Sequence, residues 1–380
     1  MPSYALLAHS GGPTAVINAS LLGVVEEARK HAGIAAVYGA RYGIDGILAQ
    51  DLIDLSAQSD AALLDVANTP SSALGSSRRE VTAEDLARLV DILRAREIRY
   101  FFYNGGNGSM GTAHQIADIA RQSGYELHVV GIPKTIDNDI LETDHTPGYP
   151  SCARFFALAA REIGADNRAL RGQVEILEVL GRNAGWIAAA TALARAHPDD
   201  APHLIYVPER PLPLAKLLAD IERVFRRLGR CVVVVCEGQL DDRGDPFGAD
   251  VRTGSRGSLA MNLGHRLAML VSQQLGIRAR SEKPGLLGRV NLAARSQVDW
   301  DDARLCGQAA VRGEAGTMVT LTRGDPRTGH CPLERVAFIE RLLPAEWQLE
   351  AEADITASFR AYLEPLVTPL PPHRLLPSGI

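Results

Sequence analysis

Lysine is scarce in this chain. Only Lys30, Lys134, Lys216 and Lys283 occur among 380 residues, so arginine carries most of the positive charge. The formal net charge of -5 argues against a general nucleic-acid binder or a ligand for anionic membranes. Cysteine is sparse too. Cys152, Cys231, Cys236, Cys306 and Cys331 form an odd, scattered set with no zinc-ligand spacing. Cys231 and Cys236 flank a valine run and read as small buried apolar residues, which fits a reducing cytoplasm. The N-terminal residues show no charged and apolar leader, and no apolar stretch is long enough to span a bilayer. No Gly-Lys-Ser or Gly-Lys-Thr follows a glycine-rich run, so there is no Walker A loop. Internal repeats and low-complexity segments are also missing. Together these absences leave a cytoplasmic chain that needs neither membrane nor nucleic acid.

What is present is an alternation of apolar strands and amphipathic helices, the pattern of doubly wound parallel sheets. The length allows two cores, and the short connections imply two tightly apposed α/β lobes with a cleft between them. The spacing predicts strands at 4–8, 99–103, 127–130, 174–179, 231–236 and 317–321. Helices are expected at 15–30, 82–96, 151–165, 212–228, 259–275, 301–313 and 345–363. Thr82 and Asp85 form a capping-box pattern at one helix start. Residues 278–289 read as a basic loop.

The central stretch is Pro133-Lys134-Thr135-Ile136-Asp137-Asn138-Asp139. Proline ends an apolar strand, and the loop then delivers one ammonium and two carboxylates. In open α/β sheets ligands lie beyond the carboxyl ends of strands, so these groups project where a substrate would sit. One carboxylate can take a proton from a hydroxyl while Lys134 neutralises a phosphate. Taken alone, the stretch reads more readily as a solvated polar turn than as a site.

Three further strand ends carry glycine. Ser10-Gly11-Gly12 offers backbone N–H groups and a helix start to an anion. Gly105-Gly106-Asn107-Gly108-Ser109-Met110-Gly111 contains G-x-G-x-x-G in a strand–turn–helix setting. The acidic residue that would hold a ribose about 20 positions on is replaced by Pro133-Lys134, which disfavours a nicotinamide site. Leu180-Gly181-Arg182 closes another strand. Arg78 and Arg79 are surface charges unless their loop folds back over the site.

In this order and spacing, across residues 4–320, the chain resembles the 6-phosphofructokinase family, and in detail its bacterial pyrophosphate-using branch. The resemblance implies phosphoryl transfer to the 1-hydroxyl of fructose 6-phosphate with Mg²⁺. It implies Asp137 as base, Lys134, Thr135 and Arg182 beside it, and Asp139, Leu180, Gly181, Glu237, Arg280, Leu286 and Arg289 around the sugar phosphate. Gly11, Gly12, Tyr42, Arg78, Gly106, Gly108 and Ser109 would face the donor, with Asn107 and Asp137 at the metal. It further implies a homodimer or homotetramer. Residues 1–145 with about 255–310 would form the donor lobe, about 146–254 with 311–340 the sugar-phosphate lobe, and 341–380 a helix and irregular tail. Three departures stand out: Asn107 for an acidic ligand, Gln173 for an arginine, and Leu286 for a histidine.

The donor is ATP or pyrophosphate. In the family that the chain resembles, pyrophosphate users typically carry Asp at the position of Gly108, where its charge opposes the α-phosphate of ATP. Two like charges 4 Å apart repel by about 4 kcal/mol at an effective dielectric of 20. Gly108 removes that charge, and Gly111 leaves further room, so the expectation is ATP with pyrophosphate as the alternative. A non-catalytic sugar-phosphate or nucleotide-binding subunit is the competing class.

Overall fold

A computed structural model describes residues 3–245, 247, 262–347, 356–367 and 369–371. Its first sheet holds β1 (Ser3–His9), β2 (Ile34–Ala40), β3 (Leu52–Asp54), β4 (Ile98–Gly105), β5 (His128–Pro133), β10 (Thr317–Leu321) and β11 (Thr328–Pro332). The strand order is β11-β10-β5-β4-β1-β2-β3, parallel except at the two edges. The second sheet is all parallel, in the order β7-β8-β6-β9: β6 (Gln173–Val179), β7 (Leu204–Tyr206), β8 (Cys231–Cys236) and β9 (Arg278–Glu282).

Both sheets are sandwiched by helices because their strands are apolar on both faces. In β1, Ala5 and Leu7 face a core built with α1 (Ile17–Ala28), α3 (Asp60–Ala67) and α11 (Gln297–Arg312). Leu6 and Ala8 face α2 (Ile44–Ala49), α4 (Ala83–Ala95) and α5 (Asn107–Gln122). In β6, Leu177 and Val179 pack under α6 (Tyr149–Ala169), α7 (Trp186–Ala190) and α12 (Ala357–Val367). Val174 and Ile176 pack under α8 (Leu214–Leu228) and α9 (Leu263–Leu275). A short α10 (Leu286–Val290) bridges toward α6. The β8 valines are wholly buried, each contributing about 1.5–3 kcal/mol relative to exposure. All five cysteines are buried and free. Among the described residues no helix is long and apolar enough to cross a membrane.

The α/β class, the two doubly wound sheets and the α4 capping box match the sequence reading. The lobe boundaries do not match the sheets. β9, within 255–310, pairs with β6 of the second sheet, while β10 and β11, within 311–340, extend the first. Residues 278–289 are not a plain loop. They form β9 and α10, and β9 was hidden because it is an edge strand whose side chains are largely exposed. The expected 345–363 helix falls partly outside the described residues. Within them are a single turn at Ala345–Trp347 and α12, whose Phe359, Leu363, Leu366 and Val367 are core residues. Residues 259–261, the start of another expected helix, also lie outside the described residues.

Candidate active site

The strand order decides where the site is. From β1 the chain moves one way to β2 and β3. It then returns to β4 and continues the other way to β5 and β10. The reversal between β1 and β4 opens a crevice at their carboxyl ends. Ser10-Gly11-Gly12 leaves β1 there, Gly106 starts α5 there, and Lys134 leaves the adjacent β5. The Ser109 hydroxyl, 2.8 Å from that of Ser10, ties the two glycine loops together.

Lys134 is buried under this crevice. Its Nζ donates to Ser10 O at 2.8 Å and Gly12 O at 2.7 Å, which leaves one of three N–H donors for a ligand. Burial, then the nearby Arg289 and Arg78, push its ammonium down to about 7. Both arginines converge on Gly12. A Cβ built there would lie 2.9 Å from one Arg289 nitrogen and 3.3 Å from an Arg78 nitrogen. Arg79 turns away to Asp45 and Asp85. Three cations gathered at Gly12 form a site for a multiply charged anion.

Opposite them stand the carboxylates. Burial, then Asp139, Glu237 and Glu340, push Asp137 up to about 7, with Lys134 opposing. Asp139 is raised as well, chiefly by burial, and its Oδ1 has no hydrogen-bond partner. Thr135 Oγ1 accepts from Asp137 N at 3.1 Å. The loop folds back on the start of α6, where Thr135 pairs with Gly148. Gly148 has φ +109°, and a Cβ there would reach within 2.6 Å of Thr14. Only glycine makes that turn without strain.

The second sheet supplies the opposite wall. Leu180-Gly181-Arg182 follows β6, and Glu237 follows the neighbouring β8, its N–H bonded to Val179 O at 3.0 Å. Burial raises the Glu237 carboxyl, while Lys283 and Arg182 lower it. Arg182 is thus near Glu237, and Glu237 is near Asp137.

Several expected residues are placed differently. Arg289, expected at the sugar phosphate, lies beside Gly12 of the donor loop, and the neighbouring Gly288 packs onto Phe156. Arg280 is exposed on β9, opposite Glu175, and Leu286 is 63% exposed; no described contact joins either to the cluster. Gln173 stands at the amino end of β6, six residues or about 20 Å from its carboxyl end. Tyr42 is 62% exposed, its ring against Gly75 of the loop that carries Arg78. The room expected beside Gly111 is absent, because the Phe338 ring fills it. Gly108 is open, with nothing within 4 Å of a built Cβ.

Residues that local patterning missed come from the C-terminal region. Arg341 N donates to Asp139 O at 2.7 Å, and its guanidinium bonds the carbonyls of Asn138, Thr143 and Asp144. Tyr362 OH accepts from Asn138 Nδ2 and donates to Asp144 O, both at 2.9 Å. Glu340 accepts from Asn183. The one sequence signal for this region was aromatic clustering in a chain with 5% aromatics: Trp347, Phe359 and Tyr362 gather on Trp186.

The chemistry this geometry allows is transfer of an anionic group under three cations to an acceptor beside Asp137. Residues 5–312 match the family described as Phosphofructokinase. The chain is 39% identical over 382 residues to a pyrophosphate–fructose 6-phosphate 1-phosphotransferase of Rhodospirillum rubrum, covering 95% of this chain and 93% of that one. It is 33% identical to an ATP-dependent 6-phosphofructokinase of Amycolatopsis methanolica, over 66% of this chain and 56% of that one. The solved pyrophosphate-dependent phosphofructokinase of Marinobacter aquaeolei is 36% identical, covers 98% of this chain and 94% of its own, and superposes with a TM-score of 0.86. By its sequence match, its sheets and its cleft, this chain belongs to the phosphofructokinase family.

Proposed function

We propose that the protein transfers a phosphoryl group from pyrophosphate to the 1-hydroxyl of fructose 6-phosphate, giving fructose 1,6-bisphosphate and orthophosphate. The observation that carries the chemistry is the pairing of two fields: Lys134, Arg78 and Arg289 converge on Gly12, and Asp137 faces them across the loop. Phosphoryl transfer asks mainly for positioning and charge neutralisation, with one base for the hydroxyl proton. Asp137 takes that proton, and a carboxyl near pH 7 is well matched to the task. The free N–H of Lys134, the two arginines and the N–H groups opening α5 hold the donor and the developing orthophosphate. Arg182 and Glu237 orient the sugar from the other wall.

Mg²⁺ fits this donor set. Magnesium is held by one or two carboxylates plus substrate phosphates, and Asp139 Oδ1 is a buried oxygen without a partner beside Asp137. Asn107 keeps a carbonyl oxygen for it, while its amide nitrogen donates to Ile339 O. The metal would supply charge neutralisation between the phosphates.

The donor reading reverses the expectation of ATP. Its support is that the pyrophosphate-named relative matches nearly the whole chain, whereas the ATP-named one matches about two thirds. Open space at Gly108 is the single feature that favours ATP. Purified protein with fructose 6-phosphate, Mg²⁺ and either donor separates the two. Turnover is expected with pyrophosphate, and turnover with ATP alone would overturn the assignment.

A further inference from the structure

The segment from Val336 to Arg341 crosses the mouth of the donor crevice as a strap. It starts beyond the turn Leu333–Arg335, passes the first turn of α5, bridges Ile140 through Glu340, and ends with Arg341 on the catalytic loop. Where it passes α5, Ile339 O accepts from the Asn107 amide. Phe338 lies flat on Gly111: a Cβ built on that glycine would come within 2.3–2.5 Å of three ring carbons. Phe338 holds this position with φ +59°, a left-handed conformation unusual for an aromatic residue, and with 59% of its surface exposed. A strained, exposed ring on bare helix backbone is not explained by core packing, and strain of this kind costs about 1–3 kcal/mol.

Gly108 and Gly111 are three residues apart and share one face of α5 at its amino end. A donor whose phosphates sit at Gly12 and the α5 N–H groups ends there if it is pyrophosphate. A nucleoside triphosphate continues, and its base needs a flat surface next to the phosphates. The side-chain-free backbone around Gly111 is such a surface, and the chain has already laid its own ring on it.

We propose that Phe338 is a specificity-determining residue: its ring occupies the stacking surface on Gly111 and so restricts the donor to one without a nucleoside. This rests on the reading of the site as a pyrophosphate-dependent one. It also explains why Gly108 does not by itself admit ATP. The gap at Gly108 passes the phosphates, while the ring one turn on blocks the attached nucleoside.

The test uses the full chain with Phe338→Gly and Phe338→Asn. Both residues tolerate a positive φ, so the strap keeps its path. The ratio of kcat/KM for ATP to that for pyrophosphate is measured with fructose 6-phosphate and Mg²⁺, and ATP binding is titrated calorimetrically without sugar. The ratio is expected to rise at least tenfold in both variants, with ATP affinity rising in parallel. An unchanged ratio and unchanged ATP affinity in folded variants would refute the role of the ring while leaving pyrophosphate-dependent turnover standing. If the wild type turned over neither donor, the functional reading would fail. The calorimetric comparison would still decide whether the ring excludes ATP.

Discussion

Asp137 lies between a cationic wall that favours its charge and a carboxylate neighbourhood that opposes it. Replacing it with asparagine keeps the shape and removes the base, so kcat should fall by about 10²–10⁴-fold with the fold intact. A drop of less than threefold would remove Asp137 from the mechanism. Two groups set the pH profile. Asp137, raised to about 7, must be unprotonated to act, so kcat/KM declines as pH falls below about 7. Lys134, lowered to about 7, must be protonated to meet the donor, so kcat/KM also declines at higher pH. The free enzyme should therefore give a bell-shaped kcat/KM centred near neutrality. Residual activity of the asparagine variant should lose the acid limb.

At the scale of the element, the catalytic loop is held from outside itself. Its Asn138 has φ +55° and is clamped by Arg341 and Tyr362. Tyr362→Phe keeps the ring but strips two hydrogen bonds, leaving Asn138 Nδ2 without its acceptor and Asp144 O with Arg341 alone. Stability to urea should drop by about 1–3 kcal/mol, with kcat lowered along with it. If neither moves, the clamp is ornamental. Helix α5 offers the opposite case. Gly108 sits in its first turn with open space around it, and glycine is a poor helix former. Gly108→Asp should raise stability by about 0.5–1 kcal/mol, from helix propensity and a carboxylate at the positive end of the helix. Denaturation midpoints would reveal a clash if stability fell instead.

At the scale of the molecule, one buried ionic chain fastens the catalytic loop to the rest of the fold. His145 bonds Asp144 at 2.7 Å and Asp302 of α11 at 3.0 Å, and Arg327 beyond β10 bonds Asp302. Burial opposes the imidazolium, but the two carboxylates prevail and raise His145 above its ordinary 6.5. The folded state thus binds the proton more tightly than the unfolded one. This contribution is complete below pH 6.5 and fades as pH rises through the raised folded value. Other groups titrate in the same range, so the useful quantity is the difference between wild type and His145→Gln. The stability gap should narrow as pH rises above about 6.5 and through the raised folded value. A gap that stays constant or widens would mean that His145 is neutral in the fold.

The order of strands and helices, the α4 capping box and all four glycine- or lysine-bearing strand ends were legible in the sequence. Each is a local pattern of a few residues, written by backbone sterics and by the alternation of buried side chains. Local patterning also placed Asp137 and Lys134 at the end of a strand. It could not say which strands become neighbours: β9 joins the second sheet and β10 and β11 the first, across the lobe boundaries that the resemblance implies, and Arg289 comes to lie beside Gly12. The clamp by Arg341 and Tyr362, and the ring of Phe338 on Gly111, join residues some 200 positions apart. Such contacts leave no periodicity in the chain. They exist only because packing two sheets and a returning C-terminal segment brings them together.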